Sequence, residues 1–393
     1  MSRAARRGYA VTAWSAVNGL GCTTLEVVAG LRSGIPALTP APPGTPFECV
    51  CGAVTDELPA LPLAIAQLDS RNNRMAQQAL AQLGDALASA RERWGAERVG
   101  ICVGTSTAAM DDTEAAFAAH RATGALPAGF EVLRHAAPEG LLRALAVLTG
   151  FAGPAVAVSN ACASSGKVFA SAKRWLDAGA VDAVLVGGAD SLCQTTLRGF
   201  RALAVLSDQP SRPFSRERRG INLGEGAAFA LLERSGQGPR LLGVGESSDA
   251  HHMSTPDPEG QGARLAMQAA LDDAGASPAD VGYVNAHGTG TRLNDAMEAA
   301  AIRAALGDAD PIVVSTKGYV GHTLGAAGAT EAVFVLESLL GGWTPASAGA
   351  DPVDPELGID VATEARQCEL RLALSNSFAF GGSNVSLLFG APE

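Results

Sequence analysis

Apolar residues along this chain gather into short runs bounded by glycine or polar clusters, and the runs alternate with longer stretches of helical period. Tyr9 to Val17 reads as a first strand, closed by Asn18-Gly19 and followed by a short helix reaching Leu31. Val99 to Val103, Val156 to Val158, Ala183 to Val186 and Ala227 to Leu232 have the length and apolar content of buried strands. Leu241 to Val244, Val281 to Asn285, Ile312 to Ser315, Leu372 to Ser375 and Val385 to Phe389 continue the series. Between them, Ser70 to Ala90, Glu139 to Leu148 and Ala263 to Ala274 carry helical spacing, and helices rich in small residues follow Cys162 and His322. Residues 34–62, rich in Pro and Gly, read as a surface loop. The order found up to residue 240 recurs from 241 to 393. This predicts an α/β fold of two related halves, 1–240 and 241–393, without a residue-level repeat.

Nearly every predicted strand ends in Gly, Ser, Thr or His, and in α/β folds ligands gather at the carboxyl ends of strands. The sharpest such junction is VAVSNACASSGKVFA, residues 156–170, where Cys162 stands between strand and helix. A helix starting there aims unpaired N–H groups and the positive end of its dipole at the junction. That arrangement favours a thiolate and stabilises an oxyanion. Two readings of Cys162 are open on this window alone: a nucleophile, or a buried structural cysteine. His287 and His322 each follow a strand inside a glycine-rich loop, and Lys317 lies five residues before His322. His120 and His135 fall in polar or loop segments and are expected to be solvated. Two histidines in matching contexts, with a cysteine in a third, point to a shared site.

Length and charge narrow the class. The 393 residues suit two domains or one large unit of two halves, and 47% hydrophobic content supplies a large core. A formal net charge of −11 argues against a general nucleic-acid or anionic-membrane binder. Seven cysteines without a disulfide-scaffold composition suggest a reducing compartment, hence the cytoplasm. Cys49 and Cys51 have no matching pair that would complete a zinc site. The arginines at positions 3, 6 and 7 precede a stretch lacking the apolar core of a signal peptide, and no window approaches ~20 uninterrupted apolar residues.

Five motifs carry a resemblance that covers nearly the whole chain: NACASS around Cys162, RPFSRERRGINLGEGAA at 212–228, NAHGTGT at 285–291, STKGYVGHTLGAAG at 315–328 and SNSFAFGGSN at 375–384. Together, in this order, they resemble the β-ketoacyl-acyl-carrier-protein synthases, the elongating condensing enzymes of the thiolase superfamily. The resemblance implies a thiolase-like five-layer α-β-α-β-α fold. It also implies a decarboxylative Claisen condensation that extends an acyl chain by two carbons from malonyl carrier protein. Cys162 would accept the acyl group as a thioester. His287 and His322 would hold the malonyl thioester carbonyl and stabilise the enolate left when CO2 departs. Lys317 would order the site and orient the second histidine, with Glu331 as its acidic partner. Phe380 would gate the nucleophile, and its backbone N–H would join that of Cys162 in an oxyanion hole. Thr289 and Thr291 would bind the phosphopantetheine arm. No cofactor is implied beyond the phosphopantetheine that carries the substrates.

The same resemblance implies an acyl carrier protein partner docked on Arg71 and Arg74, with Arg212 a further candidate. Met253 is expected to line the acyl pocket or to pack in the core. Family members pair through the sheet edge near the nucleophile, so a homodimer or a heterodimer with a related subunit is expected. Two departures stand out. Ile221 occupies the place of the usual aromatic in RGINLGEG, so either the pocket is reshaped or decarboxylation relies more on the histidines, and Gly318-Tyr319 replace the commoner Ser-Met. Both resemble a branch serving aryl-polyene and related specialised pathways. A second reading is a non-catalytic chain-length partner; such partners lack the active cysteine, and Cys162 argues against it. A third is a coenzyme A thiolase, which needs a second cysteine in the C-terminal glycine turn. SNSFAFGGSN has none, and Cys368 lies before the strand.

Overall fold

The computed structural model describes residues 8–392; Arg3, Arg6 and Arg7 lie outside the described residues. Each of the ten apolar runs forms a strand. They are β1 (Tyr9–Asn18), β2 (Val99–Gly104), β3 (Ala155–Val158), β4 (Ala183–Asp190), β5 (Gly226–Glu233), β6 (Arg240–Ser248), β7 (Val281–Asn285), β8 (Ile312–Val314), β9 (Leu372–Ala379) and β10 (Ser383–Gly390). All ten join one sheet in the order β8-β7-β9-β10-β6-β1-β5-β4-β2-β3.

Split between β6 and β1, the order resolves into two copies of one pattern. Within each half the strands, counted along the chain, lie in the order third, second, fourth, fifth, first. Senses agree too: β2 is parallel to β3 and β4 while β5 is antiparallel to β4 and β1, and β7, β8, β9, β10 and β6 repeat this. The halves meet at only two register pairs, Tyr9–Leu241 and Ala10–Arg240. A repeat invisible in the residues is plain in the topology. Strand pairing depends on where apolar runs fall, and many side chains satisfy one run.

Two helices lie between the half-sheets and touch both: α6 (Ser164–Asp177) and α10 (Ala327–Gly341). Outside the first half pack α2 (Arg71–Ala81) and α5 (Glu139–Thr149), and outside the second pack α8 (Gln261–Ala274) and α9 (Arg292–Leu306). The result is five layers, helix-sheet-helix-sheet-helix. The small residues of the central helices have a steric cause. A Cβ on Gly328 would stand 2.6 Å from the Gly166 nitrogen, so α10 can cross α6 this closely only without one. The stretch Leu324–Gly341 is long and apolar enough to resemble a membrane span, but 83% of it is buried inside this fold. Its hydropathy is that of a helix covered on every side by protein.

Other boundaries moved. The helical run Ser70–Ala90 is two helices, α2 and α3 (Gly84–Trp94), broken at Gln82-Leu83. The loop 34–62 contains two short strands, Thr39–Pro40 and Val50–Gly52, and buries Cys51, Leu58 and Leu61, so it is only partly a surface segment. Three helices went unread: α4 (Met110–Thr123), α7 (Gln194–Ala202) and α9. The remaining helix, α1 (Thr24–Ser33), begins with a capping box between Thr23 and Glu26.

Candidate active site

Cys162 stands two residues before α6, in a turn held by Ser164. The Ser164 hydroxyl accepts from the Asn160 N–H at 2.8 Å and donates to the Ala161 carbonyl at 2.6 Å. Ala161 adopts φ +43°, a left-handed conformation unusual for a residue with a Cβ. This sharp turn presents the Cys162 side chain to the interior. The backbone N–H groups of Phe380 and of Cys162 itself both reach the sulfur. Phe380 can do so because the turn after β9 continues through Gly381 and Gly382 at φ +85° and +74°. The expected lowering of the thiol pKa is corrected here. Burial pushes Cys162 up to about 11, and the Lys317 charge and the two N–H groups offset only part of this.

The other half supplies the imidazoles. His287 follows β7, and Glu298 on α9 accepts from its backbone N–H at 2.8 Å and from that of Gly288 at 2.7 Å. His322 follows β8 and a single helical turn, Lys317–Val320; its N–H donates to the Asn222 carbonyl at 2.7 Å, and its own carbonyl accepts from Gly224. The two rings lie 5.3 Å apart and nearly perpendicular. The Cys162 sulfur and a nitrogen of each ring all fall within 4.8 Å of one another. Both imidazoles are fully buried beside the Lys317 ammonium. Burial first, then that charge, holds their pKa values well below the usual 6.5, and His322 lowers His287 further. They are neutral at physiological pH.

Lys317 pairs with Glu331 in the central layer, where both are almost wholly inaccessible. Burial pushes the Glu331 carboxyl up to about 7 against the pull of Lys317. Among the described residues Lys317 makes no hydrogen bond to either histidine and acts on the triad through its charge. A cavity of about 320 Å³ leads to this cluster, with Ile221, Thr289, Thr291 and Phe380 in its wall. The Thr289 and Thr291 hydroxyls lie 2.9 Å apart. Phe380, 36% exposed, stacks on Phe200 of α7 with ring centres 5.4 Å apart.

Two matches now decide the family. Residues 60–237 match the β-ketoacyl synthase N-terminal domain and residues 240–351 match the β-ketoacyl synthase C-terminal domain. The chain belongs to the β-ketoacyl synthase family. Among curated relatives, nodulation protein E of Rhizobium meliloti (strain 1021) is 33% identical over 401 residues, covering 98% of this synthase and 99% of the relative. The 3-oxoacyl-[acyl-carrier-protein] synthase 2 of Vibrio cholerae is 38% identical over 265 residues, 62% of this chain and 64% of the relative. Among solved structures, a chain of the complex of the ketosynthase ApeO with its chain length factor ApeC, from Xenorhabdus doucetiae, superposes with a TM-score of 0.91 at 36% identity, covering the whole of this chain and of that one. The ishigamide ketosynthase/chain length factor gives 0.90 at 29% identity, covering 98% of this synthase and 100% of that chain.

Several expected residues of this synthase lie elsewhere than the motifs suggest. Met253 is 78% exposed and outside the cavity wall, so it neither lines an acyl pocket nor packs in the core; its backbone carbonyl accepts from Gly381 at 2.8 Å. Arg71 is turned inward: it donates to the buried Glu225 at 2.9 Å and to the Val54 carbonyl at 2.7 Å. Arg74 is paired with Asp69 at 2.9 Å, and Arg212 with Glu217, its guanidinium also donating to the carbonyls of Gly349 and Asp351. Both arginines expected to dock the carrier are therefore already ion-paired, with side chains 38% and 39% exposed. Cys368 precedes β9 and so stands at the other end of that strand from the glycine turn, at a half-buried site beside Arg366. His120 is exposed as expected, whereas His135 is half-buried and stacks on Phe130 at 4.9 Å.

Sequence reasoning missed Glu298, Phe200, Arg219 and Arg292. Glu298 carried a signal: it stands three residues after Asp295 on a helix leaving the HGTGT loop, and both carboxylates turn back to tie that loop. Burial pushes Glu298 up to about 7, offset in part by the N–H groups of Gly288 and His287.

Proposed function

We propose that the protein catalyses the decarboxylative condensation of a Cys162-bound acyl group with malonyl-acyl carrier protein, extending the chain by two carbons. The observation that supports this most directly is one buried sulfur, two N–H donors aimed at it, and two neutral imidazoles within 4.8 Å. In the first step the sulfur attacks the carrier thioester carbonyl. The oxyanion rests between the N–H groups of Cys162 and Phe380, and the carrier thiol leaves with the proton that Cys162 gave up. In the second, the N–H groups of His287 and His322 hold the malonyl thioester oxygen while the carbon–carbon bond to the carboxylate breaks. The enolate carbon then attacks the acyl–Cys162 carbonyl, the carbon–sulfur bond breaks, and the departing sulfur takes one proton from solvent. Neutral donors in a dry cavity suit this charge, because they stabilise the oxyanion without protonating the enolate carbon. The scheme calls for no cofactor, since loss of CO2 supplies the carbon nucleophile.

The reading extends to partners and place. β3 pairs only with β2 among the described residues; its outer edge, half-buried at Val156, Ala157 and Val158, supports pairing with a second subunit through the sheet. Both solved structures named above pair a ketosynthase with a chain length factor, which supports a heterodimer over a homodimer. Retention of Cys162, both histidines and Lys317 supports the catalytic subunit rather than the factor. Ile221 and the Gly318-Tyr319 pair support a specialised, aryl-polyene-type pathway in the cytoplasm. A Cβ at Gly318 would stand 2.5 Å from the Ala348 carbonyl oxygen, so that departure is built into the packing. The test is to incubate the protein, alone and with a candidate partner, with malonyl carrier protein and saturated, unsaturated and aryl acyl carriers. Products two carbons longer and an acylated Cys162 peptide are expected. Their absence under every condition would overturn the reading.

A further inference from the structure

The cavity that opens onto Cys162 has an electrostatic feature that the condensation chemistry does not use. Arg218, Arg219 and Arg292 all stand in its wall, but only one of them is spent. Arg218 is buried and bonded to Asp354 at 2.6 Å and to the Ser215 carbonyl at 2.8 Å. Arg219 and Arg292 are exposed and, among the described residues, their guanidinium groups make no hydrogen bond or ion pair. Arg292 feels Asp354 only at longer range, and the near oxygen of that carboxylate belongs to Arg218. The carboxylate in the same wall, that of Asp249, is held by Asn384 at 2.6 Å. Two free guanidinium groups therefore mark the mouth of a cavity in a chain whose net charge is −11. Thr289 and Thr291 stand in the same wall.

We infer that Arg219 and Arg292 form a phosphate-recognition rim that grips the phosphodiester of the substrate's pantetheine arm and sets a preference for phosphorylated over bare pantetheine thioesters. This rests on the condensing reading above. Planar guanidinium groups match phosphate oxygens two at a time, and free ones bind without first breaking an internal pair. The rim takes the place of the expected contacts on α2, where Arg71 and Arg74 are already neutralised. It reads the phosphate of the arm itself, so it acts on small phosphorylated thioesters with no carrier protein present.

The test compares hexanoyl-pantetheine with hexanoyl-4′-phosphopantetheine as acyl donors to Cys162. The wild type should favour the phosphorylated donor in kcat/KM, and the ratio should fall about threefold to tenfold in Arg219→Ala and in Arg292→Ala. The double variant should lose the preference, the lysine variants should restore part of it, and rising ionic strength should shrink it in the wild type. A structural role would lower both donors alike and leave the ratio fixed, which would overturn the rim. Binding in a Cys162→Ala background separates this from the chemistry. Tighter binding of 4′-phosphopantetheine than of pantetheine, lost in the double variant, supports the rim even if no condensation is ever seen. Equal affinity for the two overturns it even if condensation proceeds.

Discussion

The two halves of the molecule share one strand order and differ in what each does with a buried carboxylate. In the first half, Asp190 at the end of β4 accepts from the backbone N–H groups of Ser106 and Thr107, at 3.0 Å each, and ties down the loop after β2. In the second half, Glu298 does the same for the loop after β7, through His287 and Gly288. The first loop carries Thr105, Ser106 and Thr107, whose hydroxyls all turn to face Asp190. The second carries an imidazole whose Nδ1 faces no protein partner among the described residues. One device therefore rigidifies a loop in both halves, and only the residue seated on the loop makes one of them chemical. The nucleophile and one oxyanion N–H, that of Cys162, come from the first half, and the second N–H, that of Phe380, and both imidazoles come from the other.

The comparison breaks most decisively at the sulfur. Cys162→Ala should remove the acyl-enzyme completely, measured as loss of the mass increment after incubation with acyl carrier protein; persistent acylation or undiminished product would remove the first half's role. Next come the rings. His287→Ala and His322→Ala should each keep acylation and lower condensation about 10²- to 10³-fold, read in single-turnover product formation. The carboxylates should then separate the halves. Glu298→Gln should lower condensation with little change in acylation, whereas Asp190→Asn should act mainly through the fold, lowering stability by about 1–3 kcal/mol in denaturant melts. Equal kinetic effects of the two would erase the distinction drawn above.

The smallest effects are those of pH, and they also differ between halves. Alkylation of Cys162 by iodoacetamide needs the thiolate, so its rate should rise with pH toward about 11, where burial has placed this thiol. The imidazoles run the other way. Their pKa values lie well below 6.5, so they stay neutral as pH falls through that value and charge only below the lowered ones. The imidazoles should therefore impose no fall on decarboxylation of malonyl carrier by the acylated enzyme between about pH 8 and 6.5, and a change near 7 would report Glu298 or Glu331, whose carboxyls burial pushes up to about 7. A fall near 6.5 that persists in both Glu298→Gln and Glu331→Gln would show an imidazole titrating as it does in water.

Much of the architecture could be read from the chain because each strand is a short apolar run with turn residues at its ends. The predicted runs lie within a few residues of the strand limits, and the strand reaches furthest beyond them where it continues through glycine and polar residues, as β6 does through Gly245, Glu246, Ser247 and Ser248. The helix α9 escaped notice for the same reason in reverse. It buries Asn294, Asp295 and Glu298, and buried polar residues erase the apolar period by which a helix is recognised. In the loop 34–62, Pro and Gly reported a bent backbone correctly but carried no information on burial, so Cys51, Leu58 and Leu61 came as corrections.

By itself the sequence determined which residues stand at strand ends, and so which side chains could meet where ligands collect. That information is local: a run, a turn and the residue after it. Whether a charge is free is not local. Arg71 and Arg219 look alike in the chain, and only the packing shows that one is bound to a carboxylate 154 positions away while the other stands open at a cavity mouth. The same holds for the acidity of Cys162 and the neutrality of the two imidazoles. A pKa follows from how much water the surrounding layers exclude and where the nearest ammonium lies, and both are settled only when the two half-sheets close around α6 and α10.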